Sequence, residues 1–106
     1  MDGFWTVKFT GVQGFGTGVI TLTNGKVFGG DSAMLYTGTY TQKANDLHAR
    51  VNVRFHTNMP SMQSVMGRSN FELELSGTLQ GDTITALGTI PGTQLRLNAT
   101  LTRQTV

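Results

Sequence analysis

The two histidines, His48 and His56, are the first place to look for chemistry in this 106-residue chain. They stand in Leu47-His48-Ala49-Arg50-Val51-Asn52-Val53-Arg54-Phe55-His56, where apolar and polar residues alternate without a break. Such alternation makes a strand with one buried and one wet face. Both histidines then lie on the wet face, about 26 Å apart at the usual strand rise, too far to share a metal ion. Asp46 is the only acid near a histidine in sequence, and no nucleophile accompanies them. The spacings that build zinc sites, metalloprotease helices or a nucleophile elbow are missing, and the chain has no cysteine. The expectation is a non-enzymatic protein without a cofactor or metal.

Glycine-rich stretches are the next candidates. Gly29-Gly30-Asp31 lacks the spacing of a phosphate-binding loop, and no helix-forming segment follows it. Gly14, Gly16 and Gly18 fail the same test. Glycine within a strand pattern marks a bend or bulge, often at a barrel corner. Gly29 and Gly30 are therefore expected to turn a short strand away, with Asp31 holding the turn through its side chain.

A basic stripe, His48, Arg50, Arg54 and His56, could hold an anion or an acidic partner. The following strand pattern exposes Glu72 and Glu74, which cross-strand pairing would set against the arginines. Net charge is only +2, from eight Lys and Arg against six Asp and Glu, with no basic cluster. Direct nucleic-acid binding is not expected.

The elements that must position these residues are all strands. Fourteen glycines, two prolines and recurrent threonine describe an all-β chain with many turns, and residues 1–106 are expected to form one domain. Period-two patterns give eight strands, at 4–10, 16–23, 26–29, 34–42, 47–56, 71–79, 83–90 and 95–102. Asn24-Gly25 fits a two-residue type I′ hairpin, and Gln80-Gly81-Asp82 a three-residue one. Eight one-faced strands joined by hairpins suggest a closed antiparallel up-and-down barrel, which removes exposed edges; a two-sheet sandwich is the alternative. No apolar run approaches a membrane span and the N-terminus has no leader pattern, so a soluble cytoplasmic protein is expected.

Fixing the register at Asn24-Gly25 yields a binding candidate. Leu22 then faces Val27 and Thr21 faces Phe28, so Ile20, Leu22 and Val27 point inward and Phe28 outward. Val19 shares that outer face, and so does Leu35 if Tyr36 and Tyr40 point in. An outward patch of Val19, Phe28 and Leu35 would be a protein contact; scattered surface hydrophobes are the alternative. On the inside, Trp5 is in phase with Val7 and Phe9, and Arg103 with Leu97, Ala99 and Leu101. Arg103 stacked on Trp5 would close one barrel end; otherwise it is exposed on a frayed terminus. Met59, Met62 and Met66 fall at helical spacing, as a plug for the other end or a lid over a ligand.

Gly3-Phe4-Trp5 with Arg103 resembles the lipocalin and calycin closure. More specifically, Thr23-Asn24-Gly25-Lys26-Val27-Phe28-Gly29-Gly30-Asp31, then Tyr36-x-Gly38 and Met59-Pro60-Ser61, resembles the GrlR-like family of lipocalin-like negative regulators of type III secretion. The likeness runs from about residue 3 to residue 61. It implies a lipocalin-like (calycin) barrel, a homodimer, and action by binding and restraining a transcriptional activator. One departure is Gln42-Lys43-Ala44-Asn45-Asp46, where the enterobacterial type carries acidic residues. The expected function is thus a cytoplasmic regulator that binds another protein. The alternative is a carrier of a small apolar ligand near Trp5, Tyr36, Tyr40, Met62 and Arg103, since eight-stranded barrels are either filled or leave room for one small ligand.

Overall fold

In the computed structural model, residues 1–12, 14–57 and 70–105 are described. Strict alternation is converted into eight strands: β1 (Gly3–Gly11), β2 (Gly14–Thr23), β3 (Lys26–Gly30), β4 (Met34–Lys43), β5 (Asp46–Phe55), β6 (Asn70–Gln80), β7 (Thr83–Thr89) and β8 (Arg96–Gln104). Each pairs antiparallel with its sequence neighbours, and β8 returns to β1, so the sheet is a closed up-and-down, lipocalin-like barrel rather than a sandwich. Closure runs from Phe4↔Gln104 to Thr10↔Asn98. The β1–β2, β3–β4, β5–β6 and β7–β8 connections share one end of the barrel, and the three remaining hairpins share the other with both termini.

The hairpin turns follow from backbone chemistry. Asn24 and Gly25 both have positive φ, 49° and 77°, as a type I′ turn requires. Gln80 pairs directly with Thr83, so the loop there is the two residues Gly81-Asp82, one shorter than the pattern suggests. Gly81 takes φ 60°, and glycine at the first central position lets a two-residue turn follow the strand twist. Lys43 pairs with Asp46, leaving Ala44-Asn45 as the loop with Ala44 at φ 55°. An L-residue other than Gly, Asn or Asp is disfavoured there because its Cβ crowds the backbone.

Close approach demands glycine at several strand positions, Gly29 and Gly18 among them. A Cβ on Gly29 would sit 2.1 Å from the Val19 carbonyl oxygen, and one on Gly18 would meet the Tyr36 phenol oxygen at 2.9 Å. Gly29 therefore lets β3 bend against β2, and Gly18 makes room for the ring of Tyr36. Inward side chains form one core, in which Trp5, Leu22 and Ile84 are fully buried. No described helix is long and apolar enough to cross a membrane.

Replacing Ala44 with Gly should raise stability by about 0.5–1 kcal/mol, because relief of the left-handed conformation outweighs the added freedom of the unfolded chain. The check is a urea titration, with a higher midpoint at unchanged slope; a lowered midpoint would contradict the turn assignment.

Candidate functional site: an apolar cavity and an exposed apolar face

The inward faces do not fill the barrel. A cavity of about 340 Å³ remains, lined by Val7, Leu22, Val27, Val51, Leu73, Leu97 and other apolar side chains. It reaches the end where β3 joins β4, since Asp31, Ser32, Ala33 and Met34 also line it. The volume lies at the lower end of the range typical for small-molecule sites.

Asp31 organises that end. Its Oδ1 accepts hydrogen bonds from the Ala33 and Met34 amides at 3.0 and 2.7 Å, and its own amide donates to the Met34 carbonyl at 3.0 Å. Its Oδ2 accepts from the Tyr36 hydroxyl. His56 adds two ties: its amide donates to the Ala33 carbonyl at 2.9 Å, and Nε2 contacts the Asp31 carbonyl at 3.0 Å. Asp31 thus holds the turn that follows β3 through its side chain, while Gly29 and Gly30 remain within the strand. The Tyr36 ring meets Phe9 edge-on at 6.3 Å between centroids. Burial, then the bond to Asp31 and its charge, pushes the Tyr36 phenol far above the usual tyrosine range.

The opposite end is closed by a different set. The Arg103 guanidinium lies 4.4 Å from the centre of the Trp5 ring, donates to the Asp2 carbonyl at 2.9 Å, and approaches Asp82 at 3.4 Å. A cation over an indole contributes about 0.5–2 kcal/mol, more as water is excluded. The Trp5 indole donates to the Met1 carbonyl at 3.1 Å. Tyr40 donates its hydroxyl to Asp2, whose other oxygen accepts the Asn24 amide at 3.3 Å. These bonds, Tyr40's first, hold the Asp2 carboxyl below its ordinary value. Burial, then Asp2, pushes the Tyr40 phenol up to about 12.

Of the residues expected near a ligand, Tyr36 alone among the described ones lines the cavity. Trp5, Tyr40 and Arg103 belong to the closed end and contribute to its seal, because their positions along the barrel axis, near the end that carries the termini, place them beyond the cavity floor. Met62, with the whole 59–66 segment, lies outside the described residues. Of the expected turn residues, Asn24-Gly25 forms the β2–β3 connection and Asp31 begins the β3–β4 connection at the other end, whereas Gly29 and Gly30 are the last two residues of β3 and stay paired on both sides.

Outside, Thr21 pairs with Phe28 and Val19 with Gly30, which in turn pairs with Leu35. Phe28 is 48% exposed and Val19 41%, whereas Leu35 is only partly so. Phe4, 39% exposed, pairs with Thr21 on the other side, so two phenylalanines flank one threonine. Phe4 was legible in principle: it is out of phase with the inward Trp5. Elsewhere Arg50 pairs with Glu74, but Arg54 turns to Thr37 and Asn52, at 3.1 and 2.9 Å, rather than to Glu72. Among the described residues His48 has only Ser76, at 3.2 Å. Among the described residues no three His, Asp or Glu side chains converge on a metal position.

Tyr36 and Tyr40 are the chain's two tyrosines, and both phenols are raised above the ordinary tyrosine value of about 10. A raised folded value means the neutral phenol is favoured by folding. That stability is complete below pH about 10 and is lost as pH climbs through 10 towards 12. Ultraviolet titration should therefore show little tyrosinate near pH 10 and its appearance together with loss of the fold; tyrosinate forming near pH 10 in intact barrel would contradict the two hydroxyl bonds. Compared with protein-family models and with curated proteins, the chain matches none.

Proposed function

We propose that this protein is a non-enzymatic cytoplasmic regulator that binds another protein through the outer face of β1–β4. The observation that carries the reading is the pairing-fixed cluster of Phe4, Val19 and Phe28, exposed side by side with threonine and glycine between them. Contiguous apolar surface rimmed by polar residues is characteristic of protein contacts. The same face would join two copies in a homodimer. The resemblance of residues 3–61 to GrlR-like regulators supports a transcriptional activator as the partner class, while Gln42-Lys43-Ala44-Asn45-Asp46 argues for one that does not require an acidic loop.

Light scattering tests this directly. The wild-type chain should be a dimer, and Phe28→Lys, a change at a half-exposed position, a monomer with an unchanged circular-dichroism spectrum. A wild-type monomer, or a Phe28→Lys dimer, would count against the face.

A second reading, carriage of a small apolar ligand, is supported by the cavity of about 340 Å³. Interiors normally pack with few voids larger than a water molecule, so an apolar space of this size is what a carrier needs. A neutral fluorescent probe such as N-phenylnaphthylamine should bind with an enhanced signal, and Ala86→Trp, a bulky group on the cavity wall, should weaken that binding at least tenfold, about 1.4 kcal/mol. Unchanged binding would place the probe elsewhere.

A further inference from the structure

From the acceptor chemistry at the cavity mouth we infer that the ligand ends in a hydrogen-bond donor, a hydroxyl or a protonated amine, and that the barrel discriminates against carboxylate-headed lipids. The inference rests on the cavity reading above. Among the described residues, none of the lining side chains is Lys, Arg or His, and Asp31 is the one charged group. An anionic head at this mouth would find no counter-charge among the described residues and would face a carboxylate, a like charge that repels it.

The bonded pair at the mouth, the Asp31 carboxylate and the Tyr36 hydroxyl, presents acceptors. A carboxylate has about four lone-pair sites. On Asp31 three are taken, two on Oδ1 by the Ala33 and Met34 amides and one on Oδ2 by the Tyr36 hydroxyl. Among the described residues one site on Oδ2 stays free. The Tyr36 oxygen has given its proton to Asp31, so towards the cavity it too can only accept. A ligand donor placed between these two oxygens completes both, while a ligand acceptor completes neither. Ser32 and Thr17 are the other polar side chains on the lining; their hydroxyls can donate as well as accept, but neither carries the charge that would offset a carboxylate head. His56 approaches the backbone carbonyl of Asp31 rather than its carboxylate, and so leaves the acceptor character of the mouth intact.

The test is competition against bound N-phenylnaphthylamine on the full chain at neutral pH, with dodecanol, dodecylamine and dodecanoate, three chains of equal length that differ in the head alone. Dodecanol and dodecylamine should displace the probe about tenfold or more better than dodecanoate. In Asp31→Asn, which keeps the acceptor oxygen for the two amides, the advantage of the amine over the carboxylate should collapse. Probe binding with dodecanoate competing as well as the amine would overturn the donor-head inference and leave the cavity reading standing. Absence of any probe binding would overturn the cavity reading and this inference together. The wild-type series decides between these outcomes even if Asp31→Asn does not fold.

Discussion

The pairing of the last strand with the first is the constraint on which everything else depends. Once Phe4–Thr10 of β1 accepts Asn98–Gln104 of β8, every strand has two partners and no described edge is left to recruit another chain. Closure also turns a sequence alternation into a radial one: each residue faces either the interior or solvent. The core, the cavity and the outer apolar face are three consequences of that single assignment. A slip of one residue at any hairpin would exchange them.

Closure leaves two ends that must be finished, and the chain finishes them differently. At the terminal end, Trp5 and Arg103 stack, Tyr40 reaches Asp2, and the N-terminal segment lies across the opening through Met1 and Asp2. The contacts of Arg103 with Trp5 and Asp2 link residues about as far apart in sequence as the chain allows. At the other end, Asp31 works almost wholly through neighbours, binding the amides two and three residues on. The first end depends on the closed barrel; the second is a local turn that the barrel borrows to border its cavity. This asymmetry explains why the interior space reaches one end and stops short of the other.

The candidate site was legible in parts. Phe28 and Val19 could be assigned to the outside because Asn24-Gly25 fixes the register by turn chemistry alone, and the register Leu22↔Val27 and Thr21↔Phe28 follows from it. Tyr36 could be assigned to the interior from its phase with Tyr40. What phase could not give is depth along the barrel axis. Trp5, Tyr40 and Arg103 share the inward face with Tyr36, yet they seal one end while Tyr36 lines the cavity. Arg54 likewise lay opposite a region with two glutamates, and geometry sent it to Thr37 and Asn52 instead.

Taken alone, the sequence determined the strands, their inward and outward faces, the type I′ turn and the turn that Asp31 holds after β3. These are local matters, decided by the two-residue repeat of a strand and by which residues tolerate positive φ. Only the tertiary structure decided that the sheet closes rather than stacks, that the interior keeps a cavity, and that Asp31 and Tyr36 meet at its edge. Those outcomes depend on the summed volume of inward side chains and on the stagger between strands, which no single segment carries.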